Sequence, residues 1–182
     1  MKTRMNPGSR LRLWDPHRPV NWLIVAVLVI IADQVTKTLI VRSMELFQTI
    51  PIVPYLNLKL LHNTGAAFSL LSDAGGWQRW FFVLLGTGVS VFILAWLRKM
   101  PAGQGALLPL SLSLILGGAL GNVIDRVIHG YVIDFIDVYY GVRHWPAFNV
   151  ADSAITVGAV LFILDSLLDS WRSAAGKRDD AK

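Results

Sequence analysis

Residues 106–126 read ALLPLSLSLILGGALGNVIDR. No charge interrupts residues 106–124, and Asp125 and Arg126 then follow together. A hydrocarbon core takes about 20 helical residues to cross, so this run has the length of a membrane span. Working outward, three more runs match it, at about 19–41, 77–97 and 148–171. A soluble helical bundle also buries apolar helices, but it does not need four largely uncharged runs of this length. A secretory signal peptide would begin like the first run. That run is too long for one, and no small-residue cleavage pattern follows it.

Composition agrees with this reading. The 182 residues are 54% hydrophobic with seven tryptophans, and the mean hydropathy is +0.51. The absence of cysteine excludes disulfides, thiolate catalysis and cysteine-ligated metals. A pI near 9.8 points at first to nucleic acid, but the lysines and arginines flank the apolar runs, as in membrane proteins. The expected fold is therefore an α-helical integral membrane protein. Residues 1–18 and 172–182 read as basic or charged tails, and 19–171 as one four-helix membrane domain.

Counting Lys and Arg sets the orientation. The 1–18 tail, the 98–105 turn and the C-terminus are rich in them, whereas 42–76 and 125–147 carry few. The positive-inside bias places both termini in the cytoplasm and those two segments outside. Within 42–76, residues 55–60 (YLNLKL) alternate polar and apolar, which is strand periodicity. The exposed position of 42–76 suits a clamp or lid.

Charges inside spans are costly and mark function. Asp33, Lys37, Asp125, Arg126 and Asp152 fall in the outer half of spans, with Asp134 and Asp137 just beyond. Asp33 and Lys37 are one helical turn apart and can pair. Lys37 is also placed to reach lipid phosphate or substrate near the outer surface. Gly117 and Gly121 form a small-xxx-small pair for close helix approach. Asn122, Asp125 and Arg126 share a helix face, where they read either as helix-packing glue or as a fixed Asp125–Arg126 pair bracing a site. Asp134 lies in the apolar, extended-looking Tyr131–Phe135 segment, which would raise its pKa by desolvation. Asp137 better fits a solvated loop. Asn149 is placed to cap the fourth span, which puts Asp152 in its first turn, where a lone aspartate would merely complement the helix dipole.

Two carboxylates on one side of the membrane, separated by one turn-rich segment, change that balance. A pair that shares a proton can activate water and then protonate a leaving amine. His17, His62, His129 and His144 are scattered without HExxH spacing, so a metalloprotease is not expected. No Gly-x-Ser-x-Gly elbow is present. Intramembrane acids also mark ion paths, so a small ion- or proton-coupled transporter is the competing reading, though transporter charges belong at the midplane between repeats. A non-enzymatic packing scaffold is a third.

Five blocks in order carry a resemblance: residues 33–37 (DQVTK), 63–69 (NTGAAFS), 117–126 (GGALGNVIDR), 132–135 (VIDF) and 148–152 (FNVAD). The chain resembles the lipoprotein signal peptidases, the type II signal peptidases of bacteria. That resemblance implies four transmembrane helices with a small extracytoplasmic sheet and a short outer helix. It implies a cofactor-free and metal-free aspartic endopeptidase in the bacterial cytoplasmic membrane, with its site near the outer face. It would cut diacylglyceryl-modified prolipoproteins before the lipidated cysteine. Asp134 and Asp152 match the catalytic dyad. Asp33, Lys37, Asn63, Gly65, Asn122, Asp125, Arg126 and Asn149 match the supporting polar shell. Expected partners are prolipoprotein substrates, membrane phospholipid and globomycin-type inhibitors, but no nucleic acid, and a monomer is expected.

Overall fold

The computed structural model describes residues 18–65, 75–103 and 105–179. A short 3-10 turn, Pro19–Trp22, leads into α1, Leu23–Ser43. The strands β1, Thr49–Val53, and β2, Leu56–Asn63, follow as a hairpin. Next come α2, Trp77–Lys99, and α3, Leu107–Ile128. The chain finishes with β3, Val132–Tyr140, β4, Arg143–His144, and α4, Val150–Asp179.

All four helices are long and apolar enough to cross a membrane. The 21 residues of α1 span roughly 31 Å at 1.5 Å per residue, the thickness of a hydrocarbon core. Their burial is inverted relative to a soluble bundle. Ile24, Leu28 and Leu84 face outward, with Leu84 72% exposed, whereas Asp33 and Lys37 are 0% and 1% exposed. Such an apolar exterior requires lipid around it, and the chain is an integral membrane protein.

The helix α3 is central and packs on α1, α2 and α4. Glycine makes this possible. A Cβ on Gly117 would lie 2.8 Å from the carbonyl oxygen of Ala26 in α1, and one on Gly118 would collide with the Ala151 carbonyl of α4. The Gly117/Gly121 spacing thus serves close approach, with Gly118 serving the second neighbour. At the end of the bundle away from the sheet, Ala26, Ile93, Leu97, Leu112 and Leu116 form a dry core.

The four strands form an antiparallel sheet in the order β1-β2-β3-β4. The alternation at 55–60 is part of β2, which continues to Asn63. Leu60 and Ile133 of the sheet pack with Met44 just past α1. Phe148 joins the sheet to the bundle. Its backbone oxygen accepts from the N–H groups of Phe135 and Ile136, and its own N–H donates to the Ile136 oxygen. The next residue, Asn149, immediately precedes α4, so the head of that helix is fastened to β3.

Two helix ends and the placement of one residue differ from expectation. The helix α3 runs to Ile128, one turn past Ile124, and the side chains of Asp125 and Arg126 find partners inside the bundle. The helix α4 continues beyond Trp171 to Asp179. Asp137 is not in a solvated loop: it is a buried residue of β3, directly opposite Asn57 of β2. Residues 66–74 lie outside the described residues, as do 1–17 and 180–182. With 66–74 go the second half of the 63–69 block and about a quarter of the expected clamp. No short outer helix occurs among the described residues of the two outer segments.

Candidate active site

The site lies where α1, α3 and α4 meet the sheet. Its foundation is a buried charge cluster. Lys37 Nζ is 2.8 Å from Asp33 Oδ2 and 2.8 Å from Asp125 Oδ2, and it donates to Asn122 Oδ1 at 3.2 Å. These three partners use all the protons of the ammonium. Lys37 therefore does not reach lipid phosphate; its reach is spent inside the bundle. Nor is Asp125 paired with Arg126. It takes Lys37, the side-chain amide of Gln34 at 2.9 Å and the backbone N–H of Ile133 at 3.1 Å. Asp33 accepts from the Ala151 N–H at 2.9 Å. One ion cluster thus grips α1, α3, α4 and the start of β3.

Sequence inspection passed over Gln34. It adjoins Asp33, and neighbouring helix residues do not normally share a face. Its length lets the amide reach Gly121, Asp125 and Asp33 together.

Asn122 and Asn149 stand on this foundation. Asn122 donates to Asp152 Oδ1 at 2.8 Å. Asn149 caps α4 reciprocally: its Oδ1 accepts the Asp152 N–H at 2.9 Å, and Asp152 Oδ2 accepts the Asn149 N–H at 3.3 Å. This is the reciprocity of a capping box. The Asn149 amide also donates to Asp134 Oδ1 at 2.8 Å. Asn63 of β2 reaches diagonally across the sheet to Asp134 Oδ2 at 2.9 Å. Asp134 and Asp152 are thereby held by a common asparagine, and both line one cavity of about 530 Å³.

Arg126 lines the same cavity. It donates to the Gly65 oxygen at 2.8 Å and to the Asn122 oxygen at 3.4 Å, and its guanidinium lies 4.9 Å over the Phe82 ring. Gly65 enters the site through this carbonyl, while its N–H donates to Asn63 Oδ1 at 3.0 Å. The ten residues that the resemblance implies for the site come together here.

Asp134 is 2% exposed. Burial, reinforced by the charge of Asp152, pushes its pKa up to about 7, against the pull of the Asn63 and Asn149 hydrogen bonds and the Lys37 charge. A carboxyl near neutrality beside a second carboxyl can give and take a proton at physiological pH. Asp137, by contrast, sits in a separate unit. Asn57 donates to its Oδ2 at 2.9 Å, and His144 Nδ1 lies 2.8 Å from its Oδ1. Burial would raise its pKa, but these bonds and the charges of His144 and Lys59 outweigh that and hold it below the ordinary carboxylate value. Among the described residues, no group of three or more His, Cys, Asp or Glu is placed to hold a metal ion.

Comparison with known proteins agrees with this architecture. A bacterial membrane enzyme solved by the in meso method at 2.3 Å resolution superposes with a TM-score of 0.73 at 35% identity, covering 82% of this chain and 88% of that one. A second, at 1.9 Å resolution, gives 0.69, also at 35% identity, covering 80% and 92%. The lipoprotein signal peptidase of Cupriavidus taiwanensis is 58% identical over 149 residues, 82% of this chain and 84% of that protein. That of Shewanella sp. (strain MR-4) is 48% identical over 163 residues, 90% and 95% of the two chains. The family described as Signal peptidase (SPase) II matches residues 25–168, from the first turn of α1 to deep within α4. The polar core described above falls inside that match, and the chain belongs to the signal peptidase II family.

Proposed function

We propose that this membrane peptidase removes the signal peptide from diacylglyceryl-modified prolipoproteins, cutting before the lipidated cysteine, with Asp134 and Asp152 as a water-activating pair. The observation that carries the assignment is their shared partner. Asn149 bonds both carboxylates, on the wall of one cavity, where α4 leaves the sheet.

The roles follow from the surroundings. Asp134 is the buried carboxyl and holds the shared proton at rest. Asp152 lies in the first turn of α4, where the helix dipole favours negative charge. Asp152 takes a proton from water as the oxygen attacks the scissile carbonyl carbon, while Asp134 gives its proton to the carbonyl oxygen. The tetrahedral intermediate collapses as Asp152 gives its proton to the nitrogen of the new N-terminal cysteine, the carbon–nitrogen bond breaks, and Asp134 takes its proton back from the hydroxyl as the new carboxyl group forms. No bond to the enzyme forms. The two groups titrate as one coupled unit. Phe148, Ile155 and Val157 line the cavity beyond the pair, an apolar wall suited to the signal segment and acyl chains. Anchoring the substrate in lipid lowers the entropy cost of placing the bond.

The positive-inside bias supports cytoplasmic termini and a site at the outer face. The transporter alternative has no support in the family, and the charges gather at the sheet end of the bundle rather than midway. Globomycin-type inhibitors and a monomeric state remain part of the proposal.

The direct test is cleavage of a diacylglyceryl prolipoprotein by the purified protein in detergent. Wild type is expected to cut it. Asp134→Asn and Asp152→Asn are each expected to lose at least about 10²-fold in rate, the scale of general acid–base catalysis. Near-wild-type turnover by either folded variant would refute the assignment.

A further inference from the structure

A second cavity of about 500 Å³ opens beside the first and shares Asn63, Asp134, Trp145, Pro146 and Ala147 with it. Asp134 therefore stands at the junction of two chambers. Beyond the junction their chemistry diverges. The first is walled by apolar residues of the membrane-spanning α4. The second is walled by Lys59, His62, Asp137 and His144, all from the sheet and none from a span.

The Asp137–His144 unit in that wall is built. Asp137 is 2% exposed, and burying a charge is costly unless it is paired and hydrogen-bonded. Asn57 and His144 supply those bonds. A carboxylate only accepts, so the imidazole proton sits on Nδ1. The ring is further fixed by stacking on Tyr139 at 5.4 Å and 21°. Nε2 is then the ring's remaining polar atom, and no described residue bonds it. The side chain is 49% exposed and lines the second cavity. The Lys59 ammonium likewise makes no hydrogen bond to any described residue. Neither group belongs to the network that holds Asp134 and Asp152.

We infer that the second cavity is the binding site for the mature side of the substrate, the first few residues after the cleaved bond, with His144, oriented by Asp137, as a specificity-determining contact to their backbone. This rests on the peptidase reading of the Asp134–Asp152 pair. A bond positioned at Asp134 would have its apolar, membrane-embedded side in the first cavity. Its other side would continue into the second, outside the span, where an extended polar chain finds hydrogen-bonding partners instead of lipid. In the neutral ring, Nε2 accepts a backbone N–H; the Lys59 ammonium donates to a backbone carbonyl.

The experiment compares two lipidated precursors with the same signal segment. One ends at the modified cysteine as an amide, and the other continues for five residues. Wild type is expected to favour the longer one by about tenfold in kcat/KM, carried by KM, the worth of a hydrogen bond or two. His144→Ala is expected to lower the ratio of the two several-fold, with Lys59 accounting for what remains. An unchanged ratio in the variant, or equal kcat/KM for both precursors in wild type, overturns the inference. Failure to cut either precursor overturns the peptidase reading instead.

A second measurement does not depend on turnover. A benzophenone on the second residue after the cysteine is presented to the Asp152→Asn enzyme. Crosslinks to the 140–147 segment or to β2 are expected, and crosslinks to α4 alone overturn the inference.

Discussion

The Asn149 side-chain amide donates to Asp134 at 2.8 Å, and this bond ties the head of a membrane helix to a carboxyl on a strand. Asn149 is at once the cap of α4 and the spacer of the candidate pair. Asn149→Ala removes both roles. We expect a stability loss of about 1 kcal/mol from the missing cap, with a larger proportional fall in kcat than in thermal stability. Asn149→Ser, which retains a cap oxygen but has no amide to donate to Asp134, should recover the cap's share of stability without recovering turnover. Thermal unfolding in detergent and steady-state cleavage measure the two effects separately.

The titration of Asp134 sets a pH window. Its value is raised from an ordinary 3.8 to about 7, so between these limits the folded protein retains a proton that the unfolded chain releases. The resulting stabilisation is complete below the ordinary value and is lost as pH rises through about 7. If Asp134 is the proton holder, kcat should fall over the same upper limb. Asp134→Asn should flatten the pH dependence of unfolding between pH 4 and 7. An unaltered profile in that variant would assign the titration to another group.

Lys37 balances two buried acids. Lys37→Met leaves Asp33 and Asp125 without their common cation, and removing one partner of a buried pair costs about 3–5 kcal/mol. Denaturant unfolding in mixed micelles should show a loss on that scale. A loss below about 1 kcal/mol would mean that lipid or water already screens the cluster.

Gly118, at the α3–α4 contact, and Gly88, on an open face of α2, are expected to respond in opposite ways. Gly118→Ala would press a methyl group into the Ala151 carbonyl, and overpacking of this kind costs about 1–3 kcal/mol. Gly88→Ala has nothing within 4 Å, so the helix propensity of alanine should make it neutral or stabilising by up to about 1 kcal/mol. Comparing the two melting temperatures checks the packing directly.

A chain without cysteine permits clean topology mapping. Val142, 96% exposed beyond the end of β3, and Gly103, between α2 and α3, should lie on opposite sides of the membrane. In intact cells, an impermeant maleimide should label Val142→Cys at once and Gly103→Cys only after permeabilisation. Labelling of both from one side would overturn the four-span orientation.

The membrane spans were legible because length and charge exclusion are local properties. The Asp33–Lys37 pair and the Asn149 cap were legible for the same reason, being set by spacing within one helix. What the residues alone did not disclose depends on neighbours distant in sequence. Asp125 looks to Arg126 in sequence but pairs with Lys37 in space. Asp137 resembles a loop residue until Asn57, 80 positions earlier, is placed against it. The strand β1 hides behind Pro51 and pairs along one edge only. The resemblance named the candidate residues; the geometry shows which asparagine joins the two acids.

The joint at Phe148 consists entirely of main-chain hydrogen bonds to β3. No side-chain replacement at that position can delete it, and only proline would remove a donor. The spacing between strand and helix is thus insulated from drift in residue type. Side chains of the intervening connection, 141–147, can vary without breaking the main-chain bonds that align the two acids, because β4 and Trp145 also hold to β3 through the backbone. Diversity in what the enzyme accepts can accumulate there while the reaction centre stays in register.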